Sequence, residues 1–360
     1  MPRELHVSIE LNGTGDHLAA SPAAPHWTDL IGLAEQGALD FVAVGDTCTP
    51  PPDDSAGRLD AVATVARAAP LTSRIGLVPT VTTTHAEPFH ISTALATLGF
   101  VSEGRAGWLV DVSTIGAEAR AVGCREPAPV AALWAEAADA AEAAIGLWDR
   151  WEDDADLRNA ATARFLDRER PHQIDFESPH FSVPGPSTVP RPPQGRPPIA
   201  VALDVHDSDR QWELAASHAD VVFLDADQPS TARLARGALL RRAADAGRDP
   251  EALRVLIRVA VDLGGGTGPG ALPPAELRFT GAAADLAGLL ADWHAATGAD
   301  GFHLLPTSAP ADLPAVVHGV VPALRKRGLF RADYTGRTLR DHLDLPRPVG
   351  RYARDTEPVR

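Results

Sequence analysis

Five polar side chains stand where short apolar runs of the sequence end, and they are the first candidates for binding chemistry. Asp46 follows the run FVAVG, and Thr80, Thr82, Thr83 and Thr84 follow the run IGLV. Strand-forming preference explains a threonine, and turn formation explains an aspartate, at such positions. Four hydroxyls within five positions nevertheless exceed what packing requires, and hydroxyl groups can donate hydrogen bonds to a bound ligand. We therefore predict a ligand site at these strand ends.

The threonines lie within residues 74–113, a stretch whose pattern predicts one strand, one helix and a second strand. Pro88 stands at the start of the helical segment and Gly104 at its end, which are common positions for these two residue types. In a parallel α/β barrel, the loops that follow the strands carry the ligand-binding residues. The polar strand ends therefore predict which face of such a barrel holds the site.

The same alternation of short apolar strands with helices extends along most of the chain and predicts an α/β protein, a single (β/α)8 TIM barrel. Prolines and charged residues interrupt the pattern at 152–195, where we expect an insertion that includes a small hairpin within 170–186. We assign residues 1–335 to the barrel and 336–360 to a C-terminal tail packed on it. The predicted strands are 6–11, 41–45, 75–78, 106–112, 199–203, 221–225, 255–263 and 302–305.

Composition excludes several classes of partner. The 360 residues carry a formal net charge of -15 and only one lysine, Lys326, so the sequence offers no basic patch for nucleic acid or acidic lipid. Cys48 and Cys124 do not form a CxxC pair, and the N-terminal residues lack the apolar core of a signal peptide. No apolar stretch approaches 18 residues. We expect a soluble cytoplasmic protein.

Residues 74–113 resemble the corresponding part of the bacterial-luciferase-like flavin monooxygenases, in the branch of the nitrilotriacetate and dibenzothiophene-sulfone monooxygenases. The resemblance implies the barrel fold, reduced FMN supplied by a separate flavin reductase, and oxidation of a small organic substrate with molecular oxygen. It also implies that copies of the chain associate as a homo-oligomer. The resemblance recurs at LWDRWEDDA (147–155), PQGRPP (193–198), GADGFHLLP (298–306) and VPALRKRGLFRADYTGRTLRDHLDLP (321–346).

The resemblance also assigns candidate contacts to the flavin. Asp46 matches an aspartate that lies beside the flavin in the relatives, and Thr82 and Thr83 match contacts to the ring. Ser208 matches a serine of the phosphate site, and Trp134 stands where the relatives carry a tyrosine. Catalytic residues are not assigned by the sequence.

Three positions depart from the relatives' pattern. After a Gly-Trp pair the relatives usually carry an asparagine that can reach the flavin, whereas this chain has Leu109. On the helix predicted over 130–151 the relatives carry a histidine and, four residues later, a tyrosine; here these are Val130 and Trp134. Trp134 belongs to an apolar stripe, so packing in the core and contact with the flavin are both open.

The stretch LDVHDSDRQ, residues 203–211, aligns with the phosphate-binding strand end of the relatives, where small residues let backbone N–H groups reach the phosphate. Ser208 is retained, but Asp204, Asp207 and Asp209 surround it and Gln211 replaces a glycine. Carboxylates near a phosphate would weaken its binding by charge repulsion. Alternatively, the aspartate side chains point to solvent and cap the following helix, where aspartate is favourable.

Two other patterns are weak. Asp204, His206, Asp207 and Asp209 include possible divalent-metal ligands, but no spacing signature supports them, and we predict no metal site. The run DLGGGTGPG lacks the Lys-Ser/Thr end of a phosphate loop and contains a proline, so we expect a flexible loop.

Two functions follow from the sequence. The first is an FMN-dependent monooxygenase that receives reduced flavin from a separate reductase, which agrees with the lack of a dinucleotide-binding fingerprint in the chain. The second is a luciferase-like barrel whose flavin site has degenerated and that acts as a non-catalytic partner subunit or binding protein. We favour the first, because Asp46 and the threonine cluster are retained.

Overall fold

Eight parallel strands close into a barrel in the computed structural model, which describes residues 4–11, 24–49, 58–123, 125–151, 153, 156–159, 164–166, 174–185, 187–264 and 275–352. The strands within these ranges are β1 (His6–Leu11), β2 (Phe41–Val44), β3 (Gly76–Thr82), β4 (Trp108–Asp111), β5 (Asp156–Asn159), β6 (Arg164–Leu166), β7 (Phe176–Glu177), β8 (Ser182–Val183), β9 (Ile199–Asp204), β10 (Val221–Asp225), β11 (Arg254–Asp262), β12 (Arg278–Thr280) and β13 (Gly301–Pro306).

The order around the barrel is β1, β2, β3, β4, β9, β10, β11 and β13, and β13 pairs with β1 to close it. Every pairing between these strands is parallel. The strands are rich in Val, Ile and Leu because both of their faces are buried, as in other parallel sheets. The predicted (β/α)8 barrel and all eight of its strands are confirmed.

Helices surround the barrel and bury their apolar sides against it. Helix α3 has Pro88 as its first residue, where the missing N–H costs nothing. The helices are α1 (Ala24–Gln36), α2 (Ala61–Ala68), α3 (Pro88–Val101), α4 (Gly116–Val122), α5 (Val130–Asp149), α6 (Asp209–His218), α7 (Pro229–Asp245), α8 (Ala283–Thr297), α9 (Ala309–Ala315), α10 (Val321–Lys326) and α11 (Leu339–His342), with a π-helical segment at Val316–Val320.

The threonine cluster lies partly inside a strand. The sequence pattern predicts an end of this strand at Val78, but β3 continues through Thr82. Threonine is β-branched and suits a strand as well as valine does, so the polar side chains do not end the strand. Thr80 and Thr82 therefore point to the same face of β3, whereas Thr83 follows the strand.

The segment between α5 and β9 contains two antiparallel pairs, β5 with β6 and β7 with β8. The second pair confirms the hairpin predicted within 170–186. The glycine-rich run DLGGGTGPG, residues 262–270, begins with the last residue of β11, Asp262. Leu263 and Gly264 follow the strand, and residues 265–270, where we expect a flexible loop, lie outside the described residues. No helix in the described ranges is long and apolar enough to cross a membrane.

The C-terminal segment closes the barrel at the N-terminal ends of the strands. Leu339 of α11 and the two leucines that follow, Leu343 and Leu345, are buried in a cluster with inward-facing side chains of the strands. A Cβ atom added to Gly76 would lie 2.5 Å from a methyl group of Leu339, and one added to Gly107 would lie 3.1 Å from its other methyl group. The two glycines therefore make the space that Leu339 fills.

A buried carboxylate lies at the same end of the barrel. Asp40 is fully buried and accepts hydrogen bonds from His6 Nδ1 at 2.9 Å, from the Val7 backbone N–H at 2.7 Å and from Arg331 at 2.9 Å. Burial acts to raise the pKa of Asp40, but the charges and hydrogen bonds of Arg331 and His6 outweigh it and lower the pKa to about 2. Asp40 is therefore ionised and connects β1 to the segment after α10.

Candidate active site

A cavity of about 240 Å³ opens at the C-terminal ends of the barrel strands, the face that the polar strand ends predict. Its lining combines apolar side chains with charged and polar ones, as is usual in sites for small molecules. The lining residues are Glu10, Gly45, Asp46, Thr47, Arg58, Thr80, Leu109, Val110, Asp111, Trp134, Ala202, Gln211 and Arg258.

The register of β3 with β4 arranges the inward-facing residues in two layers. Thr80 is paired with Leu109 in the lower layer, and Thr82 is paired with Asp111 in the layer nearer to the mouth. Residues paired across parallel strands point to the same side of the sheet. The Thr82 side chain therefore lies next to that of Asp111, just above the threonine that lines the cavity.

Thr82 and Thr83 differ in what their hydroxyl groups contact. Thr82 Oγ1 is buried and has no hydrogen-bond partner among the residues that the structure describes. The Thr83 hydroxyl donates to the Asp111 carbonyl oxygen at 3.4 Å, and the Thr83 backbone N–H donates to the same oxygen at 2.9 Å. A buried polar atom without a partner requires an explanation, such as a ligand that supplies one. Of the two predicted ring contacts, the geometry therefore favours Thr82.

Trp134 of α5 supplies an aromatic wall to the cavity. Its side chain is only 5% exposed and packs in the main hydrophobic core while it also lines the cavity. Trp134 can thus both pack in the core and contact a ligand in the cavity. Val130, one helical turn earlier, is 47% exposed and lies outside the cavity lining.

Asp46 lies in the cavity wall but uses both of its carboxylate oxygens locally. One oxygen accepts the backbone N–H of Thr47 at 2.8 Å, and the other accepts that of Ala61, the first residue of α2, at 3.0 Å. Burial, the largest influence, raises the pKa of Asp46 despite these bonds. Asp46 therefore fixes the start of α2 beside the cavity. A ligand in the cavity would meet the edge of the Asp46 carboxylate.

Glu118 of α4 joins two of the loops at the mouth. Its carboxylate accepts hydrogen bonds from the hydroxyls of Thr47 and Ser113, and from that of Thr49 at 2.6 Å. Burial acts to raise the pKa of Glu118, but these hydroxyl donors outweigh it and lower the pKa. The loop after β2 is thereby tied to the loop after β4.

Two carboxylates that the sequence pattern does not single out also face the cavity. Asp111 ends β4, and burial raises its pKa to about 6, with smaller contributions from the charges of Glu118 and Glu10. Glu10 of β1 is hydrogen-bonded to the buried His303 ring at 3.2 Å. The strand period of two could have identified Asp111, because it points to the same side as Leu109.

Two arginines bring positive charge to the same space. Arg58 donates to the carbonyl oxygen of Thr47 at 2.8 Å, and Arg258 of β11 forms an ion pair with Asp225 at 3.0 Å. Both side chains line the cavity. The lining therefore holds three carboxylates and two guanidinium groups, which suits a polar ligand edge rather than a purely apolar ligand.

The carboxylates of the 204–209 loop bond mainly to the loop itself. Asp207 accepts the backbone N–H of Asp204 at 2.6 Å, and Asp204 accepts that of His206 at 2.7 Å. Ser208 caps α6 through the Gln211 N–H at 3.3 Å, and the exposed Asp209 pairs with an arginine of α7. The helix cap is thus Ser208 and none of the three aspartates, and of these only Asp209 points to solvent, in the first turn of α6. Burial raises the pKa of Asp207.

Gln211 occupies the position where the relatives carry a glycine. It is buried, it lines the cavity, and its side-chain amide donates to the Ala202 carbonyl oxygen at 2.8 Å. The side chain therefore fills space between α6 and β9 on the phosphate side of the predicted site.

The structure thus brings Asp46, Trp134, Leu109 and Gln211 into one cavity, with Thr82 beside it. Thr83 and Ser208 are outside the lining, with their hydroxyls bonded to the backbone. Within the described part of the chain, no group of three or more His, Cys, Asp or Glu side chains is arranged to hold a metal ion.

Comparison with known proteins gives a consistent result. The profile of the luciferase-like monooxygenases matches residues 4–264. The nitrilotriacetate monooxygenase component A of Aminobacter aminovorans is 30% identical, over 91% of each chain. The N-acetyl-S-(2-succino)cysteine monooxygenase of Bacillus subtilis is 28% identical, over 98% of this chain and 99% of the relative.

A solved structure shares the fold. The crystal structure of a riboflavin lyase with modified FMN and its substrate riboflavin superposes with a TM-score of 0.82, at 22% identity, over 95% of this chain and 96% of that chain. At this identity the similarity concerns the fold alone.

Proposed function

The chain belongs to the luciferase-like monooxygenase family, and from this we propose that it is a flavin-dependent monooxygenase that oxidises a small organic molecule. We further propose that the flavin is FMN, which a separate reductase supplies in reduced form. Bound reduced flavin would supply the activation of molecular oxygen. Association of the chain into a homo-oligomer stays a prediction.

The observation that carries this proposal is the buried, unpartnered hydroxyl of Thr82 at a cavity with an aromatic wall. A flavin ring has a flat apolar body and carbonyl oxygens at one edge. Trp134 and Leu109 offer apolar surface to the body, and Thr82, beside the cavity, offers a donor to an edge oxygen. The residues present therefore fit the ring of the implied cofactor.

The protein would contribute position and exclusion of water. Glu118 holds the loops at the mouth in place through three hydroxyl groups. The barrel interior beneath the cavity is closed by Phe41, Phe223 and His303, whose rings stack on one another. A substrate bound above these rings would react in a site that is shielded from water on the side of the barrel interior.

Thr82→Val should weaken flavin binding about five- to tenfold, because one hydrogen bond contributes about 1 to 1.5 kcal/mol. Quenching of flavin fluorescence on titration with protein measures the affinity. Thr83→Val is the matched control, since the Thr83 hydroxyl bonds to the protein backbone. Equal effects of the two substitutions, or lack of flavin binding by the wild type, would contradict the proposal.

The loop at 204–211 favours the second candidate function, a flavin-free barrel that acts as a binding protein or partner subunit. Asp204 and Asp207 are half-buried next to the predicted phosphate position, and Gln211 fills the space where a glycine would give the backbone access. These features oppose binding of a phosphate dianion.

Asp207→Ser combined with Gln211→Gly should therefore tighten FMN binding about fivefold, since removing one such repulsion is worth on the order of 1 kcal/mol. Riboflavin, which has no phosphate, should bind both proteins equally. Calorimetry with both ligands measures the difference, and Asp209→Ser is the control because Asp209 is exposed and paired with Arg242. Tight FMN binding that the double substitution leaves unchanged would eliminate the flavin-free alternative.

A further inference from the structure

Asp111 lies where the unpartnered threonine and the cavity meet. Its carboxyl group lines the cavity, and its register partner on β3 is Thr82. One carboxyl oxygen accepts the backbone N–H of Val112 at 2.8 Å. That bond orients the group and leaves its other oxygen as the one that can face a ligand.

Two negative groups from different elements act on Asp111. Glu10 approaches from β1 and Glu118 from α4, and both charges act on Asp111. The other charged side chains of the cavity lining are Asp46, Arg58 and Arg258. Both oxygens of Asp46 accept backbone N–H groups, Arg58 donates to a backbone carbonyl oxygen, and Arg258 is paired with Asp225. The positive groups thus have partners other than Asp111.

We propose that Asp111 binds the flavin ring as a neutral carboxylic acid, donating a hydrogen bond to a carbonyl oxygen at the ring edge beside Thr82. This inference rests on the proposed function, since it names a residue of the same site. A buried carboxyl group whose pKa is raised can bind a ligand in its neutral form and serve as a hydrogen-bond donor. Thr82 and Asp111 would then form a pair of donors on adjacent strands.

Flavin affinity should consequently depend on pH. Burial, assisted by Glu118 and Glu10, raises the pKa of Asp111 to about 6, so the neutral form is present below this pH and is lost above it. If only the neutral form binds, the apparent Kd rises about tenfold at pH 7 and about a hundredfold at pH 8 relative to its low-pH limit. Binding at pH 7 should also take up close to one proton.

The experiment is a titration of wild type, Asp111→Asn and Asp111→Leu with riboflavin between pH 5 and pH 8, followed by quenching of flavin fluorescence. Riboflavin is chosen because it lacks the phosphate, whose own ionisation would complicate the result. Asp111→Asn keeps a donor at every pH and should bind tightly without pH dependence. Asp111→Leu has no donor and should bind weakly throughout.

A control variant and a second measurement test whether Asp111 is the group that titrates. Asp204→Asn removes a carboxylate that bonds to His206 outside the cavity lining, and it should keep the wild-type pH dependence. Calorimetry of the wild type in two buffers of different ionisation enthalpy measures proton uptake without requiring any variant. Uptake of about one proton at pH 7, absent from Asp111→Asn, is the expected result.

The outcomes are distinguishable. Flavin binding that is independent of pH in the wild type, or equally pH-dependent in Asp111→Asn, overturns the role of Asp111 while the proposed function stands. Failure of the wild type and all variants to bind flavin at any pH overturns the proposed function, and the role of Asp111 with it.

Discussion

Replacing Asp40 by asparagine is expected to lower the free energy of unfolding by about 3 to 5 kcal/mol, the usual cost of breaking a buried ion pair. Asp40 is fully buried and neutralises the buried guanidinium of Arg331 while it accepts from His6 and the Val7 backbone. The amide would leave Arg331 without its counter-charge and would direct an NH2 group toward other donors.

Urea denaturation at pH 7 measures this effect, with Asp209→Asn as the control. Asp209 also pairs with an arginine, Arg242, but the side chains of Asp209 and Arg242 are 83% and 44% exposed. Exposed pairs typically contribute less than about 1 kcal/mol, so the control should be nearly neutral. Similar losses in both variants would show that burial does not determine the strength of the Asp40 interaction.

The same carboxylate should contribute to acid denaturation. Because the pKa of Asp40 is lowered to about 2 in the folded protein, its contribution is present above the unfolded pKa, near pH 4, and is lost as the pH falls toward 2. A shift of this size corresponds to about 2 kcal/mol. Stability curves of the wild type and Asp40→Asn should therefore approach each other by about 2 kcal/mol at the acid end of this interval.

Leu339→Ala is expected to lower the free energy of unfolding by about 2 to 5 kcal/mol, the range for removing a fully buried leucine. The side chain is 1% exposed, and its two methyl groups lie against Gly76 and Gly107. The strands there are held by their ladders and cannot collapse into the space, so a cavity should remain.

Thermal or urea denaturation measures the loss, and Leu71→Ala is the matched control. Leu71 is 54% exposed, and a surface substitution of this kind typically changes stability by less than about 0.5 kcal/mol. The cavity lies at the opposite end of the barrel, so ligand affinity of the folded variant should be unchanged. A loss below about 1 kcal/mol for Leu339→Ala would show that the C-terminal segment is not part of the barrel core.

The strands could be predicted because each is a short apolar run between turn residues. The strand predicted over 221–225 has the same bounds in the structure, Val221–Asp225. The end predicted for β3 is wrong because threonine is at once polar and strand-forming, so Thr80 and Thr82 give no boundary signal. Long-range packing could not be predicted, because the entry of Leu339 into the barrel depends on two glycines more than 230 positions away.

The candidate site could be predicted in location but only partly in residues. Asp46 and Trp134 line the cavity, and Thr82 lies beside it. The strand period of two indicates that Asp111 points to the same side as Leu109, but neither Asp111 nor Glu10 carries any indication of which strands will face it. Glu10 and Asp111 line the same cavity because the barrel closes. Closure places β1 between β2 and β13, and β4 lies further around the same ring of strands.

The position of α11 has a consequence for the order of events during synthesis. The chain emerges from the ribosome N-terminus first, but one edge of β1 stays unpaired until β13 has been synthesised. The barrel interior stays uncovered until Leu339, Leu343 and Leu345 have been synthesised as well. Pairing between such distant segments is slow, and unpaired apolar strands aggregate. A nascent chain interrupted before residue 345 therefore presents an open edge and an uncovered interior, which makes it a ready substrate for chaperones and proteases.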